Sequence, residues 1–272
     1  MYQEFYRLRD IPFGLTPNLN YIFKTESYLE VLANLRYGIS MNKGLVAVTG
    51  EVGMGKTTAL RSAIQKFDSR ILSIYIFNPY LTVSDFFANI ATGLRLQVPR
   101  TATKPDLLDA IGQTLITRHR RGLRTVLIID EAHGLPIKVL EEIRLLSNFE
   151  TNSEKLLQII LCGQPELGAV LKRPELRQLK QRISLRCAIK PLNPFETSKY
   201  IRFRLKMAGA ERVNIFAQDA VELIANISQG TPRVINNVCD NALLYGYTSG
   251  RTTIDKSIIE EVSETLELPM AM

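Results

Sequence analysis

Cysteine is scarce in this 272-residue chain: Cys162, Cys187 and Cys239 are the three present, and they lie far apart. An odd, dispersed set suits neither a disulfide framework nor a metal knuckle, and it points to a reducing compartment. Glycine and proline are few as well, 16 and 12 residues, which excludes a collagenous or low-complexity chain. No run approaches the roughly 18 uncharged apolar residues that a membrane-spanning helix requires. Residues 1–12 are polar and charged, without the apolar centre of a secretory signal. The chain is therefore expected in the cytoplasm, with any attachment to the inner membrane made through a partner.

What is present suffices for one good core or two unequal ones: 46% of residues are hydrophobic and 22% charged, at a usual domain size of roughly 100 to 200 residues. The net charge of +7 is unevenly placed. Residues 172–206 carry eleven Lys or Arg against Glu175 and Glu196, a local +9 that leaves the rest of the chain at −2. Concentrated charge of one sign selects an anionic neighbour, whether phosphate, nucleic acid or an acidic protein face; the alternative is a solvated helix face.

Apolar runs fall at 45–49, 71–77, 125–129, 156–162 and 183–189, and amphipathic stretches lie near 26–39, 56–67, 82–95, 104–121 and 136–148. Runs such as Thr125-Val-Leu-Ile-Ile are apolar on both faces, as the strands of a covered parallel sheet must be. The predicted fold class is α/β, a three-layer sandwich with a central parallel five-stranded sheet. Beyond residue 191 the strand-like runs stop. Helical periodicity takes over at 195–208, 217–228, 232–247 and 255–267. The expected domains are 1–192, an α/β domain with an N-terminal extension at 1–25, and 193–272, a small all-helical domain.

The segment Gly50-Glu51-Val52-Gly53-Met54-Gly55-Lys56-Thr57 fits G-x-x-x-x-G-K-[ST] and stands between a strand-like run and a helical pattern. Glycines let backbone N–H groups turn inward around phosphate oxygens, and the helix N-terminus adds the positive end of its dipole. Lys56 is expected to reach the β and γ phosphates and Thr57 to offer its hydroxyl to Mg²⁺, with Thr58 next to them in the loop. ATP and Mg²⁺ are the implied ligands. Hydrolysis needs a second, acidic site, and Thr125-Val-Leu-Ile-Ile-Asp130-Glu131-Ala132-His133 supplies one. Asp130, at the strand tip, would hold the metal, while Glu131 would orient and polarise the attacking water. His133 has two readings, a neighbour of the γ phosphate or a loop histidine satisfied by backbone groups.

Both motifs together make the chain similar to the AAA+ ATPases, and it more narrowly resembles the ATPase domain of the general secretion pathway protein A (ExeA-type) family. Further segments carry that resemblance: Pro12-Phe13-Gly-Leu-Thr16-Pro17-Asn18, Leu35-Arg-Tyr37-Gly38-Ile39, the segment from Leu140 to Thr151, Gly163-Gln164-Pro165-Glu166-Leu167, Leu176-Arg177-Gln178-Leu-Lys-Gln-Arg182-Ile183, and Gly230-Thr-Pro232-Arg233-Val-Ile-Asn236. The resemblance implies an AAA+ core followed by a helical lid. It also implies that Gln164 is a sensor facing the γ phosphate or attacking water, and that Arg233 is a second sensor through which the lid feels the nucleotide. Arg182, or its neighbour Arg177, would be an arginine finger reaching the ATP of an adjacent subunit, which makes a homo-oligomer the expected state.

The family often continues into a transmembrane helix and a periplasmic domain, whereas this chain stops at Met272 behind its helical segment. A stand-alone ATPase working through a membrane-associated protein partner is the expectation. Transposon target-selection regulators look similar at the same motifs, so DNA is the alternative partner. The basic stretch favours DNA, and the lack of an appended helix-turn-helix, zinc or basic-arm module counts against it.

Overall fold

Five short apolar runs become the strands of one sheet: β1 (Leu45–Thr49), β2 (Ile71–Ile76), β3 (Arg124–Ile129), β4 (Gln158–Gly163) and β5 (Ile183–Ala188). Every pairing is parallel, in the order β2-β3-β4-β1-β5. The computed structural model describes the chain apart from residues 17, 66–69, 98, 100, 153 and 269–272. Pro17 of the N-terminal motif and the end of the expected helix at 56–67 therefore lie outside the described residues. Strand β4 begins two residues later than the pattern suggested. The N–H of Leu156 donates to the carbonyl of Phe149 in a local turn, and the ladder starts when Ile159 donates to Gly44.

The described residues hold twelve α-helices: α1 (Tyr2–Phe5), α2 (Glu26–Ser40), α3 (Lys56–Gln65), α4 (Val83–Gly93), α5 (Lys104–Arg120), α6 (Ile137–Leu146), α7 (Glu166–Val170), α8 (Arg177–Arg182), α9 (Pro194–Met207), α10 (Gln218–Ser228), α11 (Pro232–Thr248) and α12 (Lys256–Thr265). Reciprocal caps fix several starts. Thr82 with Asp85 opens α4, Thr103 with Asp106 opens α5 and Asn193 with Glu196 opens α9. Each pair satisfies two backbone N–H groups that the first helical turn leaves unpaired.

The chain divides into two units. The α/β unit comprises Ser27–Gly50 and Ala59–Ile189; the helical unit comprises Met1–Glu26, Glu51–Thr58 and Lys190–Met272. In the α/β unit, every residue of β4 is buried, as is all of β3 after Arg124, so both faces of the sheet centre are covered. Leu127, Ile129, Ile159, Leu161, Phe86, Phe87, Leu140 and Ile143 form its core, each such side chain contributing about 1.5–3 kcal/mol on burial.

The helical unit packs α9 to α12 around Leu205, Ile224, Val238, Leu243 and Ile258. The N-terminal segment joins this core, whereas the sequence pattern had attached residues 1–25 to the α/β domain. Phe13 is fully buried, edge-on to Phe216 with ring centroids 5.9 Å apart. Arg204 accounts for the rest. It is 8% exposed and donates through Nε to the Pro12 carbonyl at 2.5 Å and through Nη2 to that of Gly14 at 3.1 Å. Its guanidinium also lies 4.7 Å from the Tyr21 ring centroid. One residue of the basic stretch is thus a buried clamp rather than a surface charge.

Candidate active site

Strand β1 ends at Thr49, Gly50 follows, and α3 starts at Lys56, so the glycine loop spans a strand-to-helix junction as its sequence demands. Gly53 has φ +78, a backbone conformation that side chains rarely adopt. Space excludes a side chain there too, since a Cβ would lie 2.6 Å from Cβ of Arg233. The N–H of Arg233, at the start of α11, donates to the Gly53 carbonyl at 3.3 Å. Within the helical unit, then, the loop and the expected second sensor touch. Lys56 is 6% exposed, and its Nζ donates to the carbonyl of Glu51 at 3.0 Å. A buried ammonium and the backbone N–H groups that open a ten-residue helix form a donor set suited to phosphate oxygens.

Both acids stand at the carboxyl end of β3 in the α/β unit, beside the end of β4 that carries Gln164. Asp130 is 5% exposed, its N–H donates to the Ile76 carbonyl at 2.9 Å, and its Oδ1 accepts from the N–H of Glu131 at 3.0 Å. Glu131 turns the chain sharply, with φ 52 and ψ 34, a left-handed conformation that non-glycine residues hold only where the surroundings enforce it. Its Oε2 lies 3.4 Å from Nδ1 of His133. Gln164, just past β4, meets the same ring twice: its backbone N–H is 3.4 Å from Nδ1 and its Nε2 is 3.2 Å from Nε2. Burial pushes the nearby Tyr75 hydroxyl up to about 12, with Arg61 opposing and the charge of Asp130 adding to the shift.

The structure thus gathers Asp130, Glu131 and Gln164 in one unit, and residues 51–58 with Arg233 in the other. His133, which sequence reasoning left open, links Glu131 to Gln164. A signal existed in Gly163-Gln164. Strand β4 pairs with β3 through Ile129 and Leu161, and a small residue beside a polar one at that strand end leaves room for a ring. A Cβ at Gly163 would lie 3.2 Å from the backbone nitrogen of His133 and 3.4 Å from its Nδ1.

Arg182 is not brought to this group. It ends α8 immediately before β5, whose first residue pairs with Leu45 while its last pairs with Thr49. It therefore sits at the amino edge of the sheet, roughly 20 Å from the strand tips at about 3.3 Å per residue. Arg177 is exposed at the start of α8. The basic stretch is likewise divided: residues 172–186 belong to the α/β unit and 190–206 to the helical unit.

Among the described residues no cluster of three or more His, Cys, Asp or Glu could hold a metal ion by itself. Each unit by itself offers an oxygen of the kind Mg²⁺ takes, the Thr57 hydroxyl in one and the buried Asp130 carboxylate in the other, and the ion completes its shell with waters and phosphates. All three cysteines are buried thiols outside any disulfide. Among the described residues, no helix is long and apolar enough to cross a membrane.

Residues 39–171 match the AAA domain family. Over 250 residues, 92% of its length, the chain is 41% identical to general secretion pathway protein A of Aeromonas hydrophila, and it spans 46% of that relative. It is 23% identical to the ATP-dependent target DNA activator B of Escherichia phage D108, covering 90% of this chain and 73% of the relative. Among solved structures it is similar to Cdc6p from Pyrobaculum aerophilum, with a TM-score of 0.71 at 16% identity, covering 93% of this chain and 70% of the other.

Proposed function

The chain belongs to the AAA+ ATPases, of the type found in general secretion pathway protein A, and from that premise we propose that it binds ATP and hydrolyses it to ADP and phosphate as a switch for a membrane-associated protein partner. The observation that carries the ATP reading is Lys56. A cation in the first turn of a helix faces the positive end of the helix dipole, and burying it there, 6% exposed, adds a desolvation penalty. Both costs are offset when an anion occupies the loop. Gly50, Glu51, Val52, Gly53, Met54 and Gly55 would wrap the phosphates with backbone groups, Lys56 and Thr58 would bind them, and Thr57 with Asp130 would hold Mg²⁺. When bound, that ion neutralises charge developing on the phosphate oxygens.

Glu131 would accept the proton of the attacking water, and Gln164 would orient that water or the γ phosphate. Arg233 would report the nucleotide to the helical unit through its contact with Gly53. The position of Arg182, at the far edge of its own sheet, supports a role on a neighbouring subunit, where a guanidinium can stabilise charge spread over several phosphoryl oxygens. Phosphate release measured against protein concentration tests the whole reading. Specific activity should rise with concentration in wild type, and Arg182→Ala should bind ATP normally yet lose that rise. Absence of ATP-dependent phosphate release at every concentration would overturn the reading.

A DNA-directed role is the second reading, favoured by exposed Lys172, Arg173, Arg177 and Lys180 on the α/β unit and by Lys199, Arg202 and Lys206 on the helical unit. It predicts ATP-dependent DNA retention that falls steeply with salt, because each neutralised phosphate releases a counterion. Changing Lys199, Arg202 and Lys206 to Glu should then weaken retention on all sequences alike.

A further inference from the structure

We propose that His133 is a positioning residue whose two ring nitrogens pass the orientation of the Gln164 amide to the Glu131 carboxylate. The proposal rests on the reading above of Gln164 as the phosphate-facing sensor and Glu131 as the base. Three contacts converge on one imidazole. Nδ1 lies 3.4 Å from Oε2 of Glu131 and 3.4 Å from the backbone nitrogen of Gln164, and Nε2 lies 3.2 Å from the side-chain amide of Gln164. The ring has room there because Gly163 carries no side chain, whose Cβ would crowd its Nδ1 at 3.4 Å.

A neutral imidazole has one donor and one acceptor nitrogen, so Nδ1 cannot serve both of its neighbours at once. With the proton on Nδ1, the ring donates to Glu131 and its Nε2 accepts from the NH₂ of Gln164. With the proton on Nε2, the single lone pair of Nδ1 accepts the backbone N–H of Gln164, and Glu131 loses its donor. Nε2 then needs an acceptor, and the carbonyl oxygen of the Gln164 amide is the one at hand.

The two tautomers therefore demand opposite faces of the same amide. An amide whose NH₂ turns to a phosphate oxygen, an acceptor only, leaves its carbonyl oxygen for the ring. That selects the Nε2–H tautomer and frees Glu131 to accept a proton from water. With no such acceptor, the amide returns its NH₂ to the ring and Glu131 stays tied to Nδ1. The ring exchanges one proton for another with solvent in this change, and its charge is the same before and after. His133 is partly open to water, with 23% of its side chain exposed.

Nitrogen NMR reads this directly, because the chain has two histidines, His119 and His133, and His119→Asn assigns the second. Wild type should hold His133 as the Nδ1–H tautomer without nucleotide and as the Nε2–H tautomer with a non-hydrolysable ATP analogue and Mg²⁺. Gln164→Met should keep the Nδ1–H form in both conditions. An unchanged tautomer in wild type, or a change that persists in Gln164→Met, would overturn the relay. Kinetics gives an independent arm: His133→Phe keeps a ring over Gly163 but removes both nitrogens. It should bind the analogue as wild type does while kcat falls about 100-fold, the scale of a misplaced catalytic group. A ring that only fills space would be rescued by Phe, and wild-type turnover there would sink the proposal. Slow turnover of Glu131→Gln in the same assay would show that the hydrolytic reading stands even so; fast turnover there would show that it fails.

Discussion

In the α/β unit, buried positions are filled by residues adjacent in sequence: Leu127, Ile128 and Ile129 are all fully buried on one strand. The helical unit draws its core from segments nearly the whole chain apart, with Phe13 and Tyr21 among the side chains of α9 to α12. A sheet centre covered on both faces needs only apolar residues in a row. A distant segment arriving on a helix bundle brings unpaired backbone carbonyls, and these need a donor. Arg204 is that donor, and the Tyr2 hydroxyl on Asp240 at 2.6 Å and the Tyr6 hydroxyl on the Arg251 carbonyl at 2.8 Å serve the same closure. The chemistry divides along the same line, with the groups proposed to hold the nucleotide in the helical unit and the acids in the α/β unit.

The deepest test of this contrast is Phe13→Ala. Emptying a fully buried aromatic site costs about 3–5 kcal/mol. Hydrogen exchange should quicken across α9 to α12 and leave β1, β3 and β4 unchanged. Quickening in the strands would mean that residues 1–26 support the sheet instead. Lys56→Ala comes next. Losing a set of charge-assisted hydrogen bonds, each worth about 1.5–3 kcal/mol, should weaken ATP binding at least about 100-fold while both units melt as before. Titration with a fluorescent ATP analogue checks the first part and thermal melting the second.

Arg204→Met keeps the bulk of the clamp but strands the carbonyls of Pro12 and Gly14, at a cost of about 1–3 kcal/mol. The loss should appear in urea unfolding and as faster proteolysis within residues 1–26. An unchanged midpoint would remove Arg204 from the account.

The smallest effect is alkaline. Burial raises the Tyr6 and Tyr21 hydroxyls to about 12 from the ordinary 10, and it raises those of Tyr2 and Tyr200 as well. All four lie in the helical unit. Stability from these groups is complete below pH 10. It falls as pH rises to about 12, because the unfolded chain releases protons that the folded one keeps. The melting midpoint should therefore drop between pH 10 and 12, and replacing Tyr6 and Tyr21 with Phe should shrink the drop. An unshrunken drop would shift the effect to the other raised groups, Tyr2 and Tyr200 of the helical unit and Tyr28, Tyr75 and Cys187 of the α/β unit.

Wherever both ends are described, sequence periodicity located the five strands and the long helices to within about two residues, because apolar spacing is local information. It missed α1, α7 and α8, which have 4, 5 and 6 residues, too few for a 3.6-residue period to repeat. It also counted Arg204 with the surface charges, since its burial depends on Phe13 and Tyr21 arriving from almost 200 residues away. The loop at residues 50–58 and Asp130-Glu131 were legible as motifs, because their chemistry fixes both residue type and spacing. His133 was not, because its partner Gln164 is joined to it only through the pairing of β3 with β4.

Glu131 is the proposed base for a nucleotide held by the glycine loop. Equilibrium binding and single-turnover hydrolysis of ATP by Glu131→Gln, set beside wild type, test that role most directly. The substitution keeps the shape and removes the charge. It should leave affinity within about twofold and slow hydrolysis by about 10²–10⁴-fold, the range of a positioned general base. Hydrolysis at the wild-type rate, with ATP bound, would contradict it and assign the water to another residue.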